Sequence, residues 1–143
     1  MIAVDTNILV YAHRRDSEFF ARAYESVASL AAGPAQWAIP WPCIHEFIAI
    51  STHPRIYDPP SDLAEAIDQV DAWFESPTLV VLGESPTHWN ELSRLLTKGS
   101  VRGPRVHDAR IAAICLAHGV TVLWSADRDF GRFTDLVTHN PLV

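Results

Sequence analysis

Residues 1–12, MIAVDTNILVYA, place a carboxylate between two segments of different periodicity. Residues 2–4 form an apolar run typical of a buried strand, and the pattern from Asn7 onward suits a helix. Asp5 stands at the junction. A charged group at such a junction must be solvated, hydrogen-bonded or metal-bound, because burying it bare costs several kcal/mol or more. Asp is also a common helix cap, so the interpretation depends on whether other carboxylates gather at the same place.

The rest of the chain alternates short apolar runs with segments of helical periodicity. Strands are predicted at 2–4, 36–39, 78–82 and 120–124, with a weaker one at 136–138. Helices are predicted at 16–32, 42–52, 62–75, 87–98 and 107–118. Alternation of this kind, with strands apolar on both faces, predicts a three-layer α/β/α fold around a mainly parallel sheet. No linker or repeat interrupts the chain, so residues 1–143 are expected to form a single domain.

Composition limits the class of protein. Hydrophobic residues make up 48% of the chain, which predicts a packed globule, and no apolar run is long enough to cross a bilayer. Cys43 and Cys115 stand in apolar stretches and are expected to be buried thiols. Together with the lack of an export signal, they predict a cytoplasmic protein.

Charge is distributed unevenly along the chain. The net charge is −6, which argues mildly against a nucleic-acid partner. Residues 94–143, however, carry seven basic and four acidic side chains, for a net charge of +3, whereas residues 1–93 carry −9. A locally basic segment can attract a polyanion in spite of the total charge.

Four more acids deserve comparison with Asp5. Asp127 and Asp129 follow the strand that ends at Trp124, and Asp108 stands near the first turn of an apolar helix. Glu46 is the only formally charged side chain between Trp41 and His53. Taken singly, these acids have ordinary roles as turn formers, helix caps or solvated side chains.

Ligands of open parallel α/β sheets bind beyond the carboxyl ends of the strands, where three of these acids are predicted to lie. Clustered carboxylates repel one another unless a cation neutralises them. The pattern therefore predicts a hard divalent cation, Mg²⁺ or alternatively Mn²⁺, held by oxygen ligands. Such an ion activates water and stabilises charge on a phosphodiester.

The motifs of the chain resemble a known family. VDTNILVYA at 4–12, PCIHEF at 42–47, HDARIAAICLAHG at 107–119 and LWSADRDFGRF at 123–133 are similar, in sequence and in order, to the PIN domain of the VapC type. Members of that group are the ribonuclease toxins of bacterial toxin–antitoxin pairs. The resemblance implies a metal-dependent endoribonuclease, with RNA as substrate, a cognate antitoxin as partner and pairing of two chains as a homodimer.

The resemblance also implies roles for individual residues. The catalytic, metal-binding acids would be Asp5, Glu46, Asp108 and Asp127, with Asp129 as a candidate further ligand. Thr6, Asn7 and Ser125 would form hydrogen bonds around them. An antitoxin segment would lie along the helices near Glu46 and residues 16–32, with Phe19, Phe20 and Tyr24 as candidate groove residues, and would direct an Arg or Lys towards the acids.

A basic loop leads directly to Asp108. Lys98, Arg102 and Arg105 lie in KGSVRGPRVH, residues 98–107, where they could contact RNA phosphates or simply be solvated.

Two other functions stay open at this point. A phosphotransferase of the haloacid-dehalogenase kind also begins with an acid at a strand end, but it needs a second acid two residues later, where this chain has Asn7. The other alternative is a non-catalytic module that uses the same fold to hold RNA or a protein.

Overall fold

The computed structural model describes residues 1–143 and is built on one five-stranded sheet in which every neighbouring pair of strands is parallel. The strands are β1 (Ile2–Val4), β2 (Trp37–Pro40), β3 (Leu79–Leu82), β4 (Val122–Trp124) and β5 (Thr138–His139). The α-helices are α1 (Thr6–His13), α2 (Phe20–Ala32), α3 (Trp41–Ser51), α4 (Leu63–Phe74), α5 (His88–Lys98) and α6 (Val106–Ala117). Two short 3₁₀ helices span Gly103–Arg105 and Arg128–Arg132.

The predicted three-layer α/β/α fold is confirmed, and the sheet is wholly rather than mainly parallel. α1 packs against α2 and α3, α3 packs against α4, and α5 packs against α6. The core strands β1 and β2 are almost completely buried, as expected for strands covered by helices on both faces.

Element boundaries differ from the predicted ones by a few residues. The predicted helix at 16–32 begins only at Phe20, because residues 14–19 form turns. In these turns Ser17 Oγ accepts from the Phe19 amide and the Ser17 carbonyl accepts from the Phe20 amide. The last strand lies at Thr138–His139 rather than 136–138. Leu136, expected in that strand, is instead buried in the core beside the second 3₁₀ helix.

The strand order is β3-β2-β1-β4-β5. From β1 the chain builds the sheet outward through β2 to β3, then returns to the other side of β1 to place β4. The order therefore reverses between β1 and β4, and at such a switch point the loops leaving the two strands separate and open a crevice. Asp5 follows β1, and Ser125 follows β4, at this crevice.

None of the α-helices combines the length and the apolar character that crossing a bilayer requires.

Candidate active site

The acids predicted from the sequence meet at the crevice between β1 and β4. Asp5, Glu46, Asp108 and Asp127 line a single cavity of about 350 Å³. Each comes from a different part of the chain: the end of β1, the middle of α3, the first turn of α6 and the loop after β4. Asp129 does not line this cavity, although one of its carboxylate oxygens lies within 4.8 Å of oxygens of both Asp108 and Asp127.

Asp5 is held in place by hydrogen bonds on both carboxylate oxygens. It is only 4% exposed, and its backbone N–H donates to the Trp124 carbonyl at 2.9 Å, across the β1–β4 pair. Ser125 Oγ donates to Oδ2 at 2.7 Å, and Cys43 Sγ lies 3.6 Å from Oδ1. Burial raises the pKa of Asp5 to about 6, against the lowering effect of these hydrogen bonds.

Three polar side chains join the acid-bearing segments to one another. Thr6 Oγ1 donates to Glu46 Oε2 at 2.9 Å, and Asn7 Oδ1 accepts from the Ala126 amide at 3.2 Å. Ser125 Oγ, besides donating to Asp5, accepts from the Asp127 amide at 3.0 Å. The polar residues that follow β1 and β4 therefore fix the spacing of the carboxylates.

Asp108 is the second acid whose protonation is strongly affected. Partial burial raises its pKa to about 6, and the charges of Asp127, Asp129 and Glu46 add to the shift. Glu46 also raises the pKa of Asp5, so its charge acts on both Asp5 and Asp108. The carboxylates repel one another across the cavity.

The donor set fits a hard divalent cation. None of the four cavity acids forms an ion pair with a basic side chain; the nearest pair joins Arg105 Nη2 and Asp129 Oδ1 at 3.7 Å. Oxygen atoms of Asp108, Asp127 and Asp129 lie within 4.8 Å of one another, as ligands of one ion must. Carboxylate oxygens without a protein counter-charge are the ligands that Mg²⁺ and Mn²⁺ prefer.

The predicted basic loop is divided between two environments. Arg105 closes the first 3₁₀ helix three residues before Asp108, and its Nη1 atom is buried without a hydrogen-bond partner. Arg102 is exposed just before that helix. Lys98, in contrast, ends α5 and pairs through Nζ with Asp135 at 3.3 Å.

Several residues of the cavity were not predicted from the sequence. Tyr11, Ile56 and Tyr57 line it beside the acids, and Cys43 contacts Asp5. Ile56 and Tyr57 belong to the Pro-rich loop between α3 and α4, whose composition indicates a turn but carries no signal of where the loop lies.

Comparison with known proteins agrees with this geometry. The PIN domain family matches residues 2–136. A relative, the VapC ribonuclease Mb2897 of Mycobacterium bovis, is 33% identical over 142 residues, covering 99% of this chain and 96% of the relative.

Solved structures share the fold at lower identity. The sarcin–ricin loop cleaving toxin VapC20 of Mycobacterium tuberculosis superposes with a TM-score of 0.69 at 15% identity, over 92% of this chain and 93% of the other. A toxin–antitoxin complex from Klebsiella pneumoniae gives 0.62 at 19% identity, over 99% and 98%. With the family pattern spanning nearly all of its length and its acids gathered at the end of the central strand, the chain belongs to the PIN domain family.

Proposed function

We propose that this protein is a divalent-metal-dependent endoribonuclease and the toxin of a toxin–antitoxin pair. Four carboxylates converge on one cavity at the switch point of the sheet, and none of them pairs with a basic side chain. This observation carries the proposal. A relative that is 33% identical to this chain is named as a ribonuclease, which supports RNA as the substrate.

Asp5, Glu46, Asp108 and Asp127 would hold the cation, with Asp129 as a further ligand on the outer side. When bound, Mg²⁺ or Mn²⁺ supplies activation of water and neutralisation of charge on the phosphodiester. Thr6, Asn7 and Ser125 keep the carboxylates at fixed spacing. In the reaction, a water oxygen forms a bond to phosphorus while the bond to the leaving oxygen breaks, and no covalent bond to the protein is required.

The sequence that follows Asp5 argues against a phosphotransferase. That chemistry needs a second acid two residues after the nucleophilic Asp, and position 7 of this chain is an asparagine. Asn7, which replaces the second acid of that chemistry, is engaged with the Ala126 amide.

Arg105 and Arg102 are proposed to contact the RNA phosphates. The Arg105 side chain is 39% exposed and its Nη2 lies 3.7 Å from Asp129 Oδ1, so a phosphate oxygen bound beside the acids could form a charge-assisted hydrogen bond with it. Lys98 stays a predicted phosphate contact, although its ammonium is already paired with Asp135.

The antitoxin is proposed to occupy an apolar groove between α2 and α4. The groove has a volume of about 150 Å³, and Tyr24, Val27, Ala28, Ala31 and Trp73 contribute to its walls. Tyr24 is 58% exposed, whereas Phe19 packs on Tyr11. Pairing of two chains stays a prediction from the family resemblance.

Replacing Asp5, Asp108 or Asp127 by Asn is expected to lower Mg²⁺-dependent RNA cleavage by about 100-fold or more, because each change removes a cation ligand. The measurement is cleavage of an RNA pool by purified, antitoxin-free protein with Mg²⁺ and with EDTA. Asp135→Asn is the matched control, since Asp135 lies away from the cavity and pairs with Arg94 and Lys98. Cleavage by the wild type that persists in EDTA would contradict metal dependence, and no cleavage in Mg²⁺ would favour the non-catalytic module.

Without divalent ions, the wild type is expected to lose stability as pH rises from about 4 to 6. The pKa of Asp5 is about 6 in the folded chain against 3.8 ordinarily, so the folded state binds more protons than the unfolded one in this interval. Raising the pKa of Asp5 from 3.8 to about 6 corresponds to a loss of up to ~3 kcal/mol in the free energy of unfolding.

Asp5→Asn should remove part of that loss, as measured by urea unfolding in EDTA at pH 4 and pH 7.5, with the exposed-acid variant Asp71→Asn as control. Mg²⁺ should stabilise the wild type, because it binds only the folded chain. It should stabilise Asp5→Asn less, because that variant lacks one of the proposed ligands. An unchanged pH dependence in Asp5→Asn would contradict the raised pKa of the buried Asp5 carboxyl.

The double variant Arg102→Ala/Arg105→Ala is expected to bind single-stranded RNA more weakly and with a flatter salt dependence. Each lost phosphate contact should reduce the slope of log K against log salt by about 0.7. Fluorescence anisotropy in the Asp108→Asn background measures this without cleavage. Lys98→Ala is the comparison variant and should change the slope less, because Lys98 is paired with Asp135. Equal slopes in the double variant and the parent would identify the loop as a solvated one.

Ala28→Arg is expected to abolish co-purification with the protein encoded by the adjacent reading frame while leaving RNA cleavage intact. Ala28 is exposed in the groove, where a long charged side chain would displace an apolar segment. Ser29→Arg, one position along α2 and outside the groove, should still bind. If both variants bind equally well, the partner uses another surface.

A further inference from the structure

The acidic cavity has a second wall of a different chemistry. Beside the carboxylates it is lined by Val10, Tyr11, Ile50, Ile56 and Tyr57, none of which is needed to hold a cation. A volume of about 350 Å³ is within the range of small-ligand pockets, which extends from roughly 300 to 1,000 Å³. The cavity thus has room for a group larger than a hydrated ion.

Tyr57 is held at this wall by an unusual buried cation. The Arg14 guanidinium, 9% exposed as a residue, lies 4.2 Å from the centroid of the Tyr57 ring and covers it from one side. Arg14 follows α1 directly and donates to the Pro59 carbonyl at 2.9 Å and to Ser61 Oγ at 3.2 Å. Asp16 accepts from Arg14 Nε and Nη2.

These contacts tie the loop between α3 and α4 to the end of α1. A guanidinium is expensive to bury unless its donors are satisfied, and here they are satisfied by the loop itself and by Asp16. The cation–π contact adds to the restraint on the ring. The position of Tyr57 in the cavity wall is therefore set by Arg14.

We propose that Tyr57 is a specificity-determining residue that contacts the nucleobase next to the scissile phosphate, and that Arg14 is the positioning residue that fixes it. The inference rests on the proposed function, because the phosphate must lie at the carboxylates. A strand bound there brings its neighbouring base to the uncharged wall of the same cavity. Unpaired RNA bases are commonly recognised by aromatic side chains.

The chemistry of the wall matches that occupant. Tyr57 presents an aromatic surface beside Tyr11 and the half-exposed Ile56, which suits the faces and edges of a base. The Tyr57 hydroxyl makes no hydrogen bond within the protein, and burial raises its pKa, so it keeps its proton as a donor. A base edge offers the acceptors that such a donor can read.

The test compares Tyr57→Ala, Tyr57→Leu and Tyr57→Phe with the wild type on an RNA pool whose cut sites are sequenced. Tyr57→Ala and Tyr57→Leu should lose base preference at the nucleotide flanking the cut and raise KM roughly tenfold, with a smaller change in kcat. Tyr57→Phe should keep the KM of the wild type and lose only the part of the base preference that depends on the hydroxyl. Trp89→Ala, an exposed aromatic on α5, is the matched control and should behave like the wild type.

A double-mutant cycle tests the role of Arg14. Arg14→Ala should reproduce the loss of preference of Tyr57→Ala, and the combined variant should be no worse than Tyr57→Ala alone, because Arg14 acts through the ring. Urea unfolding of each variant separates this effect from general destabilisation. Additive losses would overturn the positioning role, and unchanged preference and KM in folded Tyr57→Leu would overturn the base contact.

Failure of the proposed function gives a different result. If the wild type cuts no RNA in Mg²⁺ or Mn²⁺, the nuclease assignment fails, and the base contact is judged by binding of an RNA that carries 2-aminopurine. Fluorescence quenching that depends on Tyr57 supports the contact, and its absence overturns it. If Tyr57→Leu instead weakens only binding of the antitoxin, the wall receives a protein side chain and the inference is wrong.

Discussion

Burial of the Asp5 carboxylate is the constraint on which the rest of the site depends. A buried acid is tolerated only when its oxygens are hydrogen-bonded, and Ser125, directly after the neighbouring strand, supplies the shortest of these bonds. Because Ser125 also accepts from the Asp127 amide, one hydroxyl sets the spacing between two acids. This depends on the register in which Val4 lies opposite Trp124, since a slip of one residue would turn Ser125 to the other face of the sheet.

Burial of the carboxylates, with a smaller contribution from their mutual repulsion, opposes folding, and the apolar core offsets this cost. Asp5 and Asp108 both have pKa values of about 6, and Glu46 contributes to both shifts. The apolar cluster around β1 and β2 is continuous with the helices on both faces and supplies the compensating stability. A cation bound by these carboxylates would remove the repulsion, so the arrangement that opposes folding is the one that favours metal binding.

Much of the fold could be predicted because its signals are local. Apolar runs and helical periodicity identify the strands and helices to within a few residues, and the rule for parallel sheets places Asp5 and Asp127 at one edge. Strand order and the path of the loop that carries Tyr57 depend on contacts between distant residues, such as Arg14 with the Pro59 carbonyl. The pairing of Lys98 with Asp135 also joins distant parts of the chain. The sequence therefore predicts that residues 98–107 are basic, but not which of these basic side chains lack an acidic partner.

The unpaired charges explain how an acidic protein can attract RNA. Of the seven basic residues after residue 93, Arg94 and Lys98 pair with Asp135, Arg110 pairs with Glu84, and Arg105 lies near Asp129. The three that form no ion pair are Arg102, Arg128 and Arg132. Arg102 precedes the first 3₁₀ helix and the other two lie in the second, and these short helices adjoin Asp108 and Asp127 in the chain. Positive charge is thus left on the two segments that flank the acids, where its local field would attract a phosphate backbone in spite of the negative net charge.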